Sequence, residues 1–208
     1  MCGISGFTFK DENLINQMNL SIKHRGPDDN GYYCSDKISL GQVRLSIIEL
    51  SEKGHQPMFY CKSNGASNNK FNSKLITQSK YSIVFNGEIY NYLELKLELK
   101  QLGYNFTTNS DTEVILAAYD AWGINCLQKF NGMWAFGIYD IKNDSLFISR
   151  DKLGKKPLYY SLIDEGIIFS SELKAMYSLK KISNSISHDA LNLFFGLGFV
   201  PAPLTIYE

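Results

Sequence analysis

Apolar positions begin almost at the first residue. Gly3 to Lys10 (GISGFTFK) reads as a strand, and Leu14, Ile15, Met18 and Ile22 fall at helical spacing between Asp11 and about His24. Further strands are predicted at Ile38 to Leu45, Tyr81 to Phe85, Met133 to Asp140, Ser145 to Arg150, Leu158 to Leu162 and Ile167 to Ser170. In Met133 to Asp140 (MWAFGIYD) both alternating sets are apolar, the mark of a strand covered on both faces. Leu93 to Lys100 (LELKLELK) alternates as a strand would, but its Leu, Glu and Lys are strong helix formers without β-branching. A helix is therefore predicted there, with Asn91 and Glu94 set as a capping box and Gly103 as the stop. A second helix starts at Ser110, with Glu113 three residues on, and runs through Val114, Leu116, Ala117 and Ala118 to Trp122. Lys62 to Lys80 carries only Phe71, Leu75 and Ile76 as large apolar groups and is predicted to be a mobile surface loop, 62–80. The inventory predicts an α+β architecture of packed sheets flanked by helices, and periodicity leaves the layer order open.

Composition narrows the class without changing that picture. A chain of 208 residues can bury roughly 70% of its unfolded surface, so a core forms without staples. Lys plus Arg and Asp plus Glu both number 21, which gives no broad electrostatic footprint for nucleic acid or an anionic membrane. Cys2, Cys34, Cys61 and Cys126 are scattered and form no ligand cluster with the histidines, so reduced thiols and no metal are expected. No apolar run reaches membrane-spanning length and the first twenty residues do not read as a leader, which makes the cytoplasm the expected compartment. Cys34, Cys61 and Cys126 read as small apolar residues, and no partner is identified for His55 or His188.

Cys2 is chemically distinct. Once Met1 is excised, its thiol and a free α-amine of reference pKa about 7.7 to 8.0 would share one residue, a nucleophile beside its own base. Alone, such a cysteine is more often an incidental small residue after a start codon. Asn86-Gly87 in isolation is likewise first a hairpin turn.

Several words in one order alter that balance: Cys2-Gly-Ile-Ser-Gly-Phe, His24-Arg-Gly-Pro-Asp, Arg44-Leu-Ser-Ile-Ile, Asn86-Gly-Glu-Ile-Tyr-Asn and Ser110-Asp-Thr-Glu. Together they resemble the class II glutamine amidotransferases, which are N-terminal nucleophile hydrolases. With Gly54-His-Gln-Pro-Met, Phe130-Asn-Gly-Met-Trp-Ala-Phe and the run from Arg150 to Tyr160, the chain is most similar to the glutaminase half of glutamine-hydrolysing asparagine synthetases. The resemblance implies a four-layer αββα sandwich over residues 2–195. It implies that Cys2 attacks the side-chain amide of glutamine to give a glutamyl thioester, with Asn86 and Gly87 as the oxyanion hole. A glycine lets the backbone approach closely and an Asn donates without bringing charge. By the same resemblance Arg44 would fork onto the substrate carboxylate, while Asp111, Glu88 and backbone groups reaching Ile47 and Ile48 would hold its ammonium. Taken without it, Arg44 is a strand-end surface cation and Asp111 an acid favoured by a helix N-terminus. His24, Arg25 and Asp28 resemble a loop facing the active site, although Gly26-Pro27 is also simply a turn.

The match departs at Gly41-Gln-Val-Arg-Leu, where many relatives read Gly-His-Arg-Arg-Leu, so any contact of that His is missing or replaced. Residues 196–208 resemble a linker toward an ATP-dependent synthetase domain. No cofactor is expected in the chain itself, ATP and Mg belonging to that domain, which would act in cis or in trans and receive ammonia through a channel. Other readings stay open: a domain serving another acceptor such as a sugar carboxylate, or a silent regulatory domain of the same fold. A homodimer is also left open.

Overall fold

The computed structural model describes residues 1–177, 179 and 182–208. Contacts divide them into two compact units, Met1–Ser178 and Leu179–Glu208. The domain predicted from sequence extends to 195, whereas the helix His188–Leu197 falls in the second unit.

In chain order the elements are β1 (Gly3–Phe7), α1 (Glu12–Ser21), β2 (Asp29–Cys34), β3 (Ser39–Arg44), β4 (Met58–Cys61), β5 (Gly65–Ser67), β6 (Tyr81–Ile89), α2 (Tyr92–Gln101), α3 (Asp111–Trp122), α4 (Cys126–Lys129), β7 (Gly132–Asp140), β8 (Ser145–Arg150), β9 (Tyr159–Ile163), β10 (Gly166–Ser170), α5 (Leu173–Met176) and α6 (His188–Leu197). Two five-stranded antiparallel sheets result, ordered β2-β3-β1-β10-β9 and β5-β4-β6-β7-β8. Among the described residues no helix is long and apolar enough to cross a membrane.

The double-sided apolar pattern of β7 explains the layering. Trp134, Phe136 and Ile138 join the core formed with α2 and α3, through residues such as Leu95, Leu99, Val114 and Ile115. Ala135 and Tyr139 instead meet Ile4, Leu40 and Phe169 from the first sheet. The opposite face of the first sheet is covered by α1, whose Leu14, Ile15 and Met18 are buried. The order is helix, sheet, sheet, helix, the predicted αββα sandwich.

Three local expectations need correction. Asn91 does not cap α2 through its side chain; Nδ2 donates to Lys129 O and Oδ1 accepts from Asn131 N, tying the helix start to the approach of β7. Ser110 does cap α3, accepting from Thr112 N, but Glu113 turns away to accept from Thr107 N, Thr108 N and Ala66 N. The stretch 62–80, predicted as loop, contains β5 on the sheet edge and a 3-10 helix, Ser73–Gln78. Glu113 is the reason: a fully buried carboxylate draws the β5 backbone inward.

Candidate active site

Cys2 immediately precedes β1, and its sulfur lies against the end of β3. Leu45 N donates to Cys2 Sγ at 3.4 Å, and Sγ in turn lies 3.5 Å from Leu45 O. The Cys2 carbonyl accepts from Arg25 Nε at 3.0 Å, and Arg25 Nη1 donates to Glu172 at 2.9 Å. Burial alone would raise the Glu172 carboxyl; bonds from Arg25, His24 and Lys174 outweigh it and hold the group ionised below the usual range. His24, Arg25 and Glu172 thus brace Cys2 from behind. Met1 is 59% exposed, so its removal sacrifices no buried contact. Asp28 accepts from Ser46 N at 2.8 Å and so shapes the turn after Arg44.

Facing Cys2 across a solvent-open cavity is the free edge of β6, where Gly87 and Glu88 line the wall. β4 pairs with β6 only as far as Met58 opposite Ile83, because the residue before Met58 is Pro57, which has no amide hydrogen. Beyond that point the β6 amides on this edge find other acceptors. Phe85 N donates to Gln56 Oε1 at 2.7 Å and Ile89 N to Asp111 Oδ2 at 3.0 Å. Alternation along the strand puts the Gly87 N–H between them, on the edge that borders the cavity. A side chain at 87 would collide with β7, its Cβ falling 2.3 Å from Met133 O, so only glycine lets the strands approach there. Asn86 is not on the cavity wall; it is 1% exposed, and its side-chain Nδ2 is buried with no hydrogen-bond partner among the described residues. An unmatched buried donor next to the cavity is what an anionic guest would satisfy.

The charged groups are disposed for a zwitterion. Arg44, at the end of β3, is 7% exposed. Its Nη1 donates to Ser51 O at 3.1 Å, and among the described residues no carboxylate lies within ion-pair distance. Gly54 leaves room for the guanidinium, since a Cβ there would sit 2.2 Å from Arg44 Nη2. A buried cation without an anion is costly by several kcal/mol unless a ligand supplies the anion. Asp111, the first residue of α3, is pushed up to about 6 by burial, against bonds from Ile89 N and Thr112 N that favour the ionised form. Glu88 adds negative charge nearby and raises it further. Glu49 reaches from the loop after Arg44 to Asn109 N at 3.3 Å, spanning the cavity rim.

The cavity wall therefore collects Cys2, Arg44, Gly87 and Asp111, with Ile47, Ile48 and Glu88 around them; of the residues predicted from sequence, Asn86 stands behind the wall, as do His24, Arg25 and Asp28 of the loop expected to face the site. Gln56, Glu49 and Thr112 line it without having been singled out by their residue type. His55, for which the sequence suggested no partner, is buried with Nδ1 2.7 Å from Asp29, itself held at about 2 by His55 and Lys70 against the opposing effect of burial.

A family model described as a glutamine amidotransferase domain matches residues 1–208. A putative glutamine-hydrolyzing asparagine synthetase 2 of Methanocaldococcus jannaschii is 46% identical over 100% of this chain and 41% of its own length. Glutamine-hydrolyzing asparagine synthetase 1 of Bacillus subtilis is 41% identical over 99% of this chain and 31% of its own length. The chain thus spans less than half the length of these relatives. Among solved structures, a glutamine phosphoribosylpyrophosphate amidotransferase from B. subtilis superposes with a TM-score of 0.64 at 20% identity, over 86% of this chain and 43% of that one, a likeness of fold.

Proposed function

The chain belongs to the glutamine amidotransferase domain family, and from that premise we propose that it hydrolyses glutamine to glutamate and ammonia with Cys2 as nucleophile. The observation that carries the proposal is one cavity holding a thiol, a buried guanidinium with no carboxylate beside it among the described residues, and a buried carboxylate. Removal of Met1 would expose an α-amine beside the thiol to take its proton. The thiolate attacks the side-chain carbonyl of glutamine. The resulting oxyanion is stabilised by Asn86 Nδ2 and Gly87 N–H, donors already fixed before reaction. Collapse, with a proton delivered to the leaving nitrogen, expels ammonia and leaves a glutamyl thioester, which water then cleaves to glutamate.

Arg44 donates to the substrate carboxylate in a forked pair, and Asp111 with Glu88 holds the ammonium; free glutamine is thereby separated from a glutamine side chain within a peptide, which lacks both charges. Ile47 and Ile48 close the wall between them. No cofactor is assigned to these steps. The ammonia would serve ATP-dependent asparagine synthesis by a synthetase domain in cis or in trans, the role suggested by the relatives' names, with ATP and Mg confined to that domain.

Release of glutamate from glutamine by the purified chain, measured in a coupled assay, tests the proposal. Turnover is expected in a sample whose intact mass shows Met1 removed, and loss of about a thousandfold or more in Cys2→Ala. A Cys2→Ala variant with undiminished turnover ends the assignment.

A further inference from the structure

Phe85 is held by two side chains where a neighbouring strand would ordinarily hold it. The β4–β6 ladder ends at Met58 opposite Ile83, and the next β6 residue with its polar groups on that edge is Phe85. Its N–H donates to Gln56 Oε1 at 2.7 Å, and its carbonyl accepts from Gln42 Nε2 at 3.1 Å. Both glutamines are buried, at 1% exposure for Gln42 and 4% for Gln56. They come from different places. Gln42 projects from β3 of the first sheet, two residues before Arg44, while Gln56 stands just before β4 and also donates through Nε2 to Thr112 Oγ1 at 3.3 Å, one residue into α3 from Asp111. The residue before Asn86 is therefore tied to the strand that carries Arg44 and to the helix start that carries Asp111.

We propose that Gln42 and Gln56 are positioning residues for glutamine hydrolysis, gripping the Phe85 backbone by its carbonyl and its N–H so that Asn86 and Gly87 keep their aim at the carbonyl attacked by Cys2. Both line the cavity, but their amides are engaged by Phe85 and Thr112, so in the clamp each acts through Phe85 and not on the reacting atoms. The clamp rests on the hydrolysis proposed above. It also accounts for glutamine at position 42: the contact requires a donor on a side chain of that length, and a carboxylate or an apolar isostere there would leave the Phe85 carbonyl unmatched.

Gln42→Met and Gln56→Met keep volume and remove the bonds. In the clamp, each lowers kcat for glutamine by about tenfold to a hundredfold, the range expected when a catalytic group shifts by a fraction of an ångström to 1 Å. KM stays within about twofold and alkylation of Cys2 by iodoacetamide, which needs no oxyanion donors, keeps its rate. Gln42→His, which returns an N–H, recovers most of the loss. A merely structural role would instead lower the melting temperature while leaving kcat of the folded enzyme intact and give no recovery by His. Unchanged kcat in both Met variants, with active wild type, overturns the clamp alone; wild type that releases no glutamate overturns the hydrolysis and the clamp with it. Should a Met variant not fold, wild-type amide exchange decides: slow exchange of the Phe85 N–H and of the Gln42 side-chain amide supports the grip, and fast exchange at both overturns it.

Discussion

Asp111 concentrates the electrostatics of the site in one side chain. Burial raises its carboxyl from 3.8 to about 6. A raised acid pKa means the folded protein keeps a proton that the unfolded chain has lost, so its stabilising effect is full below about pH 4, declines as pH rises through 4 to 6, and is absent above. A rise of that size is worth roughly 3 kcal/mol. Asp111→Asn still offers an oxygen to Ile89 N but has no proton to lose, so it should melt higher than wild type at pH 7 by roughly that free energy and match it near pH 4. Calorimetric scans at the two pH values check this; equal melting at pH 7 argues that the carboxyl ionises at no cost. For the glutamine ammonium proposed to sit on Asp111 the sign would reverse, because the ionised form would be the one that binds. In a Cys2→Ala background, glutamine affinity should tighten about tenfold from pH 5 to 7 and become weak and flat with Asn at 111, read by titration calorimetry. The sequence made Asp111 legible as a family position, yet Ser110-Asp-Thr-Glu could not reveal that the carboxylate lies under an edge amide of β6. Arg44 was equally legible by position, while its lack of an anionic partner depends on the loop from Leu45 to Gly54 folding around it.

At the scale of elements, β6 is the site's organiser, because its outer edge runs out of partner at Phe85. The close approach of β6 to β7 at Gly87 turns this into a prediction. Gly87→Ala places a methyl 2.3 Å from Met133 O and 2.8 Å from Trp134 Cα, backbone atoms that cannot rotate away. Separation of the two strands there should cost about 1 to 3 kcal/mol, in the range of other overpacked positions, and displace the Gly87 N–H. Urea unfolding should register the first, and kcat for glutamine the second; a variant as stable and active as wild type would mean the strands already have slack. The same scale shows what patterning could and could not disclose. β7 was readable because tertiary structure buries what its apolar period demands, and β8 because Leu146, Phe147 and Ile148 are half-buried against the cores on its two faces. In α2 the alternation misled about nothing essential, since Leu95 and Leu99 are buried one turn apart while Leu93 and Leu97 are left to solvent. β2 begins Asp29-Asn30-Gly31, residues that read as a turn, and β4 and β5 are four and three residues long, held by pairings remote in sequence. The Asn91 cap failed for a comparable reason: a side chain suited to a local bond found a better pair of partners around Lys129 and Asn131.

For the sandwich unit as a whole, the decisive fact is that the candidate site belongs to neither sheet. Cys2 and Arg44 come with the first, Asn86 and Gly87 with the second, and the packing between sheets, with the Gln42–Phe85 bond across it, sets one against the other. Phe169 of β10 is central to that packing. It is fully buried, and its ring occupies the space left by Gly6 of β1 and Gly137 of β7, where a Cβ would lie 2.6 and 2.8 Å from it. One aromatic ring thus spans both sheets between glycines that admit it, and its deletion leaves a cavity that backbone cannot easily fill. Phe169→Ala should therefore cost about 3 to 5 kcal/mol. Because the cavity lies in the layer that aligns the two halves of the site, glutaminase activity and tryptophan fluorescence should be lost together along a urea gradient, in wild type and at a lower midpoint in the variant. Activity lost well before fluorescence in wild type would show that the sheets separate, or the β6 edge opens, while each remains folded, and the site would then be a mobile junction between two stable layers.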